Sequence, residues 1–314
     1  MTFEDQSPRR ADVSVIIPAY QAEDTIARAL DSVLGQTVLP AEIIVIDDGS
    51  RDRTRDIAAE YASAPDTPRV HLLEQENLGA GAARNQGLEA STREIVAFLD
   101  ADDEWMPEKL QRSLEVLEER DANFVSHDLL RAEDGKTKYV SCAQHFAARS
   151  DPFADYFLRG YISTSTVVAR RAVLMKAGGF DPSLRSGQDY ELWLAAVSAP
   201  DTRHYVFAEA LMKYHVTPNS ITSHVDRRRQ AALRILHRHL PALRGRTRHP
   251  RVVGMMRAAI ICIQAAQAHR AAGNLIGAIG AISRLPIHVV SIMASSMNRA
   301  VERPRFVSSD EASE

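Results

Sequence analysis

The chain has 314 residues, 45% of them hydrophobic, which is enough to bury a full core in one large domain or two. Its two cysteines, Cys142 and Cys262, lie far apart without metal-ligand spacing, which argues against a disulfide framework and makes a reducing compartment the default. The net charge of −3 conceals a division: residues 1–226 carry −14, whereas Arg227–Val301 holds thirteen Arg and no Lys, Asp or Glu, so two regions with different partners are expected.

Residues 1–11 lack the apolar core of a signal peptide and are expected to be disordered. Asp12–Ile17 (DVSVII) reads as a strand stopped by Pro18, and Glu23–Leu34 has helical spacing. Glu42–Ile46 (EIIVI) is a second strand, closed by Asp47-Asp48-Gly49-Ser50. Helix 54–62, strand 69–73, helix 80–89 and strand 94–99 (EIVAFL) follow. Strands alternating with helices predict a parallel sheet covered on both faces, with ligands bound beyond the carboxyl ends of its strands.

The alternation loosens after Asp121. A strand is expected over 164–170, a helix over 190–197, and a strand or turn region over 206–215. From Arg227 onward the pattern is Ala- and Leu-rich and helical, with breaks at Pro241, His249-Pro250, Gly273 and Pro286. No uninterrupted apolar run reaches the roughly 18–20 residues of a spanning helix, because Arg284 and Pro286 break the best candidate, 275–297. The tail 302–314 is expected to be flexible.

Four polar clusters carry the chemistry. At the end of the fourth strand, VAFLDADDEWMP (96–107) gathers four acids in five positions. Hard cations such as Mg2+ or Mn2+ take one or two carboxylates plus substrate phosphates, and alternation aims Asp100 and Asp102 to one side with Asp103 on the flank. An acidic cap for the helix after Pro107 accounts for one or two of these acids but not four. The second cluster, DDGS (47–50), offers a carboxylate to a base's imino N–H, or else a turn and a cap from Ser50 or Asp52. In LGAGAARNQG (78–87) the glycines follow the third strand, not the first, so a dinucleotide fingerprint is excluded. A helix start whose amides and Arg84 face a diphosphate suits the stretch better. The fourth cluster, SGQDYELW (186–193), places Asp189 at a helix start, as a cap or as a catalytic acid.

In this order the clusters resemble glycosyltransferase family 2, inverting enzymes of the GT-A fold. The resemblance is carried by SVIIPAYQAEDTI (14–26), EIIVIDDGSRDRT (42–54), ENLGAGAARNQGL (76–88), EIVAFLDADDEWMP (94–107), GGFDPSL (178–184) and GQDYELWL (187–194). It implies an α/β, Rossmann-type nucleotide-diphospho-sugar transferase domain over 12–225, followed by a basic helical region over 226–301. It also implies roles. Pro18 and Tyr20 would line the nucleoside pocket, Asp48 would pair with uracil, and Arg84 would face the pyrophosphate. Asp100 and Asp102 would form the DXD element, with Asp102 as the direct ligand of Mn2+ or Mg2+. Asp103 and His215 are lesser metal candidates. Asp189 would be the base, and Gly178-Gly179-Phe180 would shape the acceptor side. The donor would be a nucleotide-sugar, with UDP favoured, and the acceptor a glycan or lipid-linked hydroxyl, as in cell-surface polysaccharide synthesis.

Two departures from the family pattern stand out: Gln188 where Glu is usual, and Thr217 where a His is common after Tyr214. A degenerate scaffold at the membrane and a sugar-nucleotide pyrophosphorylase are the rival readings. The second lacks its basic glycine-rich loop after the first strand. Thirteen arginines without an acid suit an anionic membrane surface; a protein partner or oligomer is the alternative. Nucleic acid is not expected, since aromatics are not interleaved. The location implied is cytoplasmic, with peripheral attachment to the inner face of the membrane as an option.

Overall fold

The structure is a computed structural model that describes residues 9–64, 68–146, 151–160, 162–216, 224–298 and 303. The expectations for the extreme N-terminus, Thr217 and the tail, apart from Arg303, lie outside these residues. The first half comprises β1 (Arg10–Ala19), α1 (Ile26–Leu34), β2 (Leu39–Asp47), α2 (Thr54–Ala62), β3 (Arg69–Glu74), α3 (Ala80–Ala90) and β4 (Ile95–Phe98). β1 therefore begins at Arg10, inside the stretch expected to be disordered.

Parallel pairing joins β1 to β2 and β4, and β2 to β3. The order β3-β2-β1-β4 reverses direction at β1, which opens a crevice beyond the carboxyl ends of β1 and β4. Alternate residues of these strands enter two cores. Ile16, Ile44, Ile46, Val96 and Phe98 lie in one, and Val13, Val15, Ile17, Ile43, Val45 and Ala97 in the other. Burial on both faces is why the strands read as continuous apolar runs.

The second half adds β5 (Glu104–Trp105), α4 (Lys109–Glu119), β6 (Phe124–Glu133), β7 (Lys136–Val140), α5 (Ala143–Phe146), α6 (Pro152–Arg159), β8 (Val168–Arg170), α7 (Arg171–Lys176), α8 (Gln188–Ser198) and β9 (His204–His215). Among the described residues the sheet has nine strands. It continues β4-β8-β6-β9-β5, with β7 on β6. It is mixed rather than wholly parallel, since β8 runs antiparallel to both β4 and β6. The strand expected over 164–170 begins as a 3-10 turn, Thr164–Thr166, and pairs only from Val168. β6 and β7 form a hairpin whose turn holds Asp134 and Gly135 at φ 49° and 71°. Asp-Gly suits that left-handed geometry.

α9 (Val225–His239), α10 (Pro250–Ala271), α11 (Leu275–Ser283) and α12 (Leu285–Ala294) complete the chain. Leu233, Ile235, Leu236, Ala258 and Ile261 are buried in the same core as Phe153 and Trp193 of the α/β layer. Several arginines of this basic stretch answer acids of the acidic one. Arg238 meets Asp181 at 2.7 Å and Glu191 at 3.1 Å, and Arg246 meets Asp151 at 3.2 Å. Part of the charge division is thus complementarity within one molecule.

The expected interruption at Arg284 is present, but average composition gives a different picture from an uninterrupted run. Pro250–Ala271 and Leu275–Ala294 are long and apolar enough by length and composition, with mean hydropathy 1.2 and 1.7. The chain does break at Arg284, between α11 and α12, but Ala, Gly and Ile on either side keep the average high.

Candidate active site

Backbone register delivers the acidic clusters to one place. The Asp48 amide donates to the Ala19 carbonyl at 2.8 Å and the Leu99 amide to the Ile16 carbonyl at 3.1 Å. The loops beyond β1, β2 and β4 therefore line one crevice. The first two are tied together: the amides of Gln21, Ala22 and Glu23 donate to Ser50, Thr54 and Asp52 side chains. Tyr20 is 49% exposed at the rim, whereas Pro18 is buried beneath it.

Asp48 is buried, and its carboxylate organises the loop before α3. It accepts from Gln75 Nε2 at 2.6 Å, Leu78 N at 2.8 Å and Gly79 N at 2.9 Å. A carboxylate has about four acceptor positions, so three bonds leave capacity for one more donor. A cleft of about 350 Å³ lined by Asp47, Gly49, Ser50, Asp52 and Gln75 opens beside it. The residue at the cap position of α2 is Arg53, whose side chain makes no capping bond; Asp52 Oδ1, one residue before it, accepts from the Thr54 amide at 3.1 Å.

Each acid of the cluster after β4 has its own environment. Asp100 takes 2.6 Å from Arg84 Nη2, and its amide donates to Ser165 Oγ at 3.0 Å. Asp102 is partly exposed, and its carbonyl accepts from Arg28 at 2.7 Å. Asp103 is 1% exposed, and its Oδ2 accepts from Ser165 Oγ at 2.5 Å. Burial, with Asp100 and Asp102 adding repulsion, pushes the Asp103 carboxyl well above the ordinary range. Glu104 accepts from His215 at 3.0 Å and Lys213 at 3.2 Å. Like charges thus coexist because one is ion-paired by arginine, one is driven towards protonation, and one is bound by lysine and histidine. None of them caps α4. That task falls to Gln36, whose Oε1 accepts from the Leu110 amide at 2.8 Å.

Of the two lesser metal candidates, His215 is engaged by Glu104, and Asp103 is turned into the protein against Ser165. The oxygen ligands on Asp100 and Asp102 fit a hard divalent cation. Among the described residues no group of three or more His, Cys, Asp or Glu is placed to hold one. A cation here would complete its shell with oxygens of a bound diphosphate.

Arg84 is 7% exposed, lies 5.4 Å from the Phe180 ring centroid, and has a buried Nε without a hydrogen-bond partner. Burial opposes its charge, but Asp100, Asp189 and Asp102 outweigh that and hold the guanidinium protonated. Next to it, Asn85 forms a two-way bond with Phe180, donating to its carbonyl at 2.7 Å and accepting from its amide at 2.8 Å. This fixes the turn Gly178-Gly179, where φ is 92° and 65°, against α3. Gly81 allows α3 to approach α8, since a Cβ there would lie 3.1 Å from Gln188 Cγ.

Asp189 sits in the first turn of α8 after left-handed Gly187 (φ 75°), and Thr164 Oγ1 donates to it at 3.4 Å. Burial raises its pKa, against the pull of Arg84 and of the Tyr190 amide. Helix-start and acid–base roles are therefore compatible in one carboxylate. Two residues on, Glu191 is fully buried and accepts from His239 at 3.0 Å and from Arg303 at 2.6 and 2.7 Å. Sequence reasoning passed over Ser165, Asn85 and Glu191. Asn85 and Glu191 stand inside the quoted motifs; Ser165 lay in a presumed strand and gave no signal.

The family model for glycosyl transferase family 2 matches residues 14–178. A Bacillus subtilis protein named as a teichuronic acid biosynthesis glycosyltransferase, TuaG, is 37% identical over 216 residues, covering 67% of this chain and 81% of that protein. Succinoglycan biosynthesis protein ExoO of Rhizobium meliloti is 31% identical over 266 residues, covering 79% and 74%. Among solved structures, S. aureus TarS 1–349 superposes with TM-score 0.61 at 20% identity, over 89% of this chain and 82% of that one. The mannosyltransferase PcManGT of Pyrobaculum calidifontis, in complex with GDP-Man and Mn2+, gives 0.60 at 19%, over 92% and 88%. These two share the fold.

Proposed function

The chain belongs to glycosyl transferase family 2, and from that premise we propose an inverting, metal-dependent enzyme that moves a sugar from a nucleotide-sugar to a glycan or lipid-linked hydroxyl in cell-surface polysaccharide synthesis. The observation that carries this reading is the meeting of Arg84 and Asp100 at 2.6 Å, with Asp102 following and Asp189 close enough to perturb Arg84. Three sequence-distant motifs thereby share one crevice. The names of the relatives support the polysaccharide context, and a UDP-linked donor fits the remaining acceptor capacity on Asp48.

Tyr20 stacks on the base at the rim, and Asp48 accepts a hydrogen bond from its imino N–H. Asp102 and Asp100 would hold Mn2+ or Mg2+, which would supply charge neutralisation for the leaving group. Arg84 adds a fixed positive charge on the same side. Asp189 takes the proton of the attacking hydroxyl as its oxygen bonds to the anomeric carbon. The bond from that carbon to the diphosphate breaks with its electron pair leaving on the nucleotide. Attack opposite the leaving group inverts the centre. The raised pKa of Asp189 makes it a better base than an exposed carboxylate.

We further place the enzyme at the cytoplasmic face of a membrane, with the basic C-terminal helices towards an anionic surface. Slow hydrolysis of a panel of nucleotide-sugars, with and without Mn2+ or Mg2+, tests the catalytic reading. Metal-stimulated release of one nucleoside diphosphate is the expected result, and turnover insensitive to both metals would overturn the metal-dependent mechanism.

A further inference from the structure

We propose that α11 and α12 form a shallow, in-plane membrane-inserting edge of this protein, seated at the headgroup boundary of an anionic bilayer; this rests on the membrane placement above. Of the fifteen large hydrophobic side chains that are exposed among the described residues, ten fall between Val252 and Met293. Scattered exposed apolar residues are ordinary, but a contiguous group is a binding surface. Leu275, Ile276, Ile279, Ile287, Val290 and Met293 are 56–86% exposed. Ile276 and Ile279 in α11, and Ile287, Val290 and Met293 in α12, recur every three residues, which keeps each set near one stripe of its own helix.

A spanning arrangement does not fit the packing. α10 is tied into the catalytic core by Gly254, Ala258 and Ile261. Its Arg257 donates to the Leu158 carbonyl at 3.1 Å and lies 4.9 Å from the Tyr190 ring centroid. α11 and α12 pack on α10, with Ala281 and Ile292 buried, and exposed Arg284 interrupts them halfway. Only 11% of the window Leu275–Ala294 is buried inside the protein. This leaves an apolar helical pair held to one face of the domain, the form in which amphipathic helices lie in an interface.

Charge selects the occupant. Arg244, Arg248, Arg251, Arg270 and Arg284 are exposed along the same helical region, and no acid occurs from 227 to 301. A second copy docking face to face would set arginine against arginine with no acid to pair. Anionic lipid headgroups supply both the charge and, beneath them, the apolar phase. Because Arg257 also touches Tyr190, one helix layer separates this edge from the residue next to Asp189.

The test uses the full chain with vesicles of phosphatidylcholine alone or mixed equally with phosphatidylglycerol. The wild type should sediment with the mixed vesicles only. I276D/I287D should weaken that binding by roughly tenfold or more while donor hydrolysis and circular dichroism stay unchanged. I279W should be quenched by bromines placed shallow in the acyl chains and not by those near the midplane. Wild-type binding retained in I276D/I287D overturns insertion while the electrostatic attachment stands. No sedimentation of the wild type with either vesicle overturns the membrane placement itself. A solution dimer that I276D/I287D abolishes assigns the face to self-association and overturns the lipid assignment.

Discussion

Arg84 of α3 and Asp100 beyond β4 are joined by a 2.6 Å charge-assisted hydrogen bond across the crevice. The pair fastens the helix start to the acidic turn and leaves the guanidinium Nε without a partner. A bound diphosphate would compete for this cation. Arg84→Lys keeps the charge but loses the planar fork, so donor turnover should fall by about 10²–10³ with weakened UDP binding. Calorimetry and coupled nucleotide release measure both; wild-type values for the variant would remove Arg84 from the site.

Asp102→Asn removes charge without volume at a partly exposed position. Metal-dependent donor turnover should disappear while the thermal midpoint stays close to that of the wild type. Normal turnover with Mn2+ or Mg2+ would be the contrary result.

Asp189→Asn should lower transfer by about 10²–10⁴ and leave UDP affinity nearly unchanged, because the group acts on the acceptor hydroxyl. Its pKa is raised by burial, and the base must be ionised to work. The acid limb of the pH–rate profile for transfer should therefore lie above the ordinary aspartate range. A comparable loss of UDP binding would instead mark Asp189 as a structural helix-start residue.

Asp103 makes the opposite use of a raised pKa. Burial and its acidic neighbours push it up, so the folded state binds the proton more tightly than the unfolded chain. Its cost to stability is absent below the unfolded pKa and grows as pH rises through the folded one. Asp103→Asn should thus gain stability relative to wild type at neutral pH, and the gain should vanish in acid. Chemical denaturation at several pH values checks the sign.

Glu191 carries a strongly depressed pKa: burial would raise it, but bonds from His239 and Arg303 prevail. The stabilisation it gives is complete above the unfolded carboxylate range and is lost as pH falls through the folded value. Glu191→Gln leaves Arg303 without its carboxylate counter-charge, while Arg238 keeps Asp181, and should cost about 3–5 kcal/mol at neutral pH. The difference from wild type should shrink in acid melts. A pH-independent loss would mean that packing, not charge, is responsible.

The sequence alone determined the β1–β4 half and the contents of the crevice. Strands buried on both faces must be apolar throughout, and in parallel sheets the polar chain between elements must collect at strand ends. DDGS and DADDE therefore announced themselves as strand ends, which the sheet sets on either side of β1, and the resemblance ordered the rest. The tertiary structure alone decided which partner each acid meets. Nothing local in DADDE distinguishes Asp100, paired to Arg84, from Asp103, buried against Ser165 sixty-two residues away. Likewise the arginines after 227 read as one basic surface, yet Arg238 and Arg246 are consumed by Asp181, Glu191 and Asp151. A side chain's charge is a property of its residue type, whereas its desolvation and its counter-ion are set by what the fold brings against it. The β6–β7 hairpin lies between these cases: its Asp-Gly turn is a local signal, but pairing β6 with β9 depends on contacts some eighty residues apart.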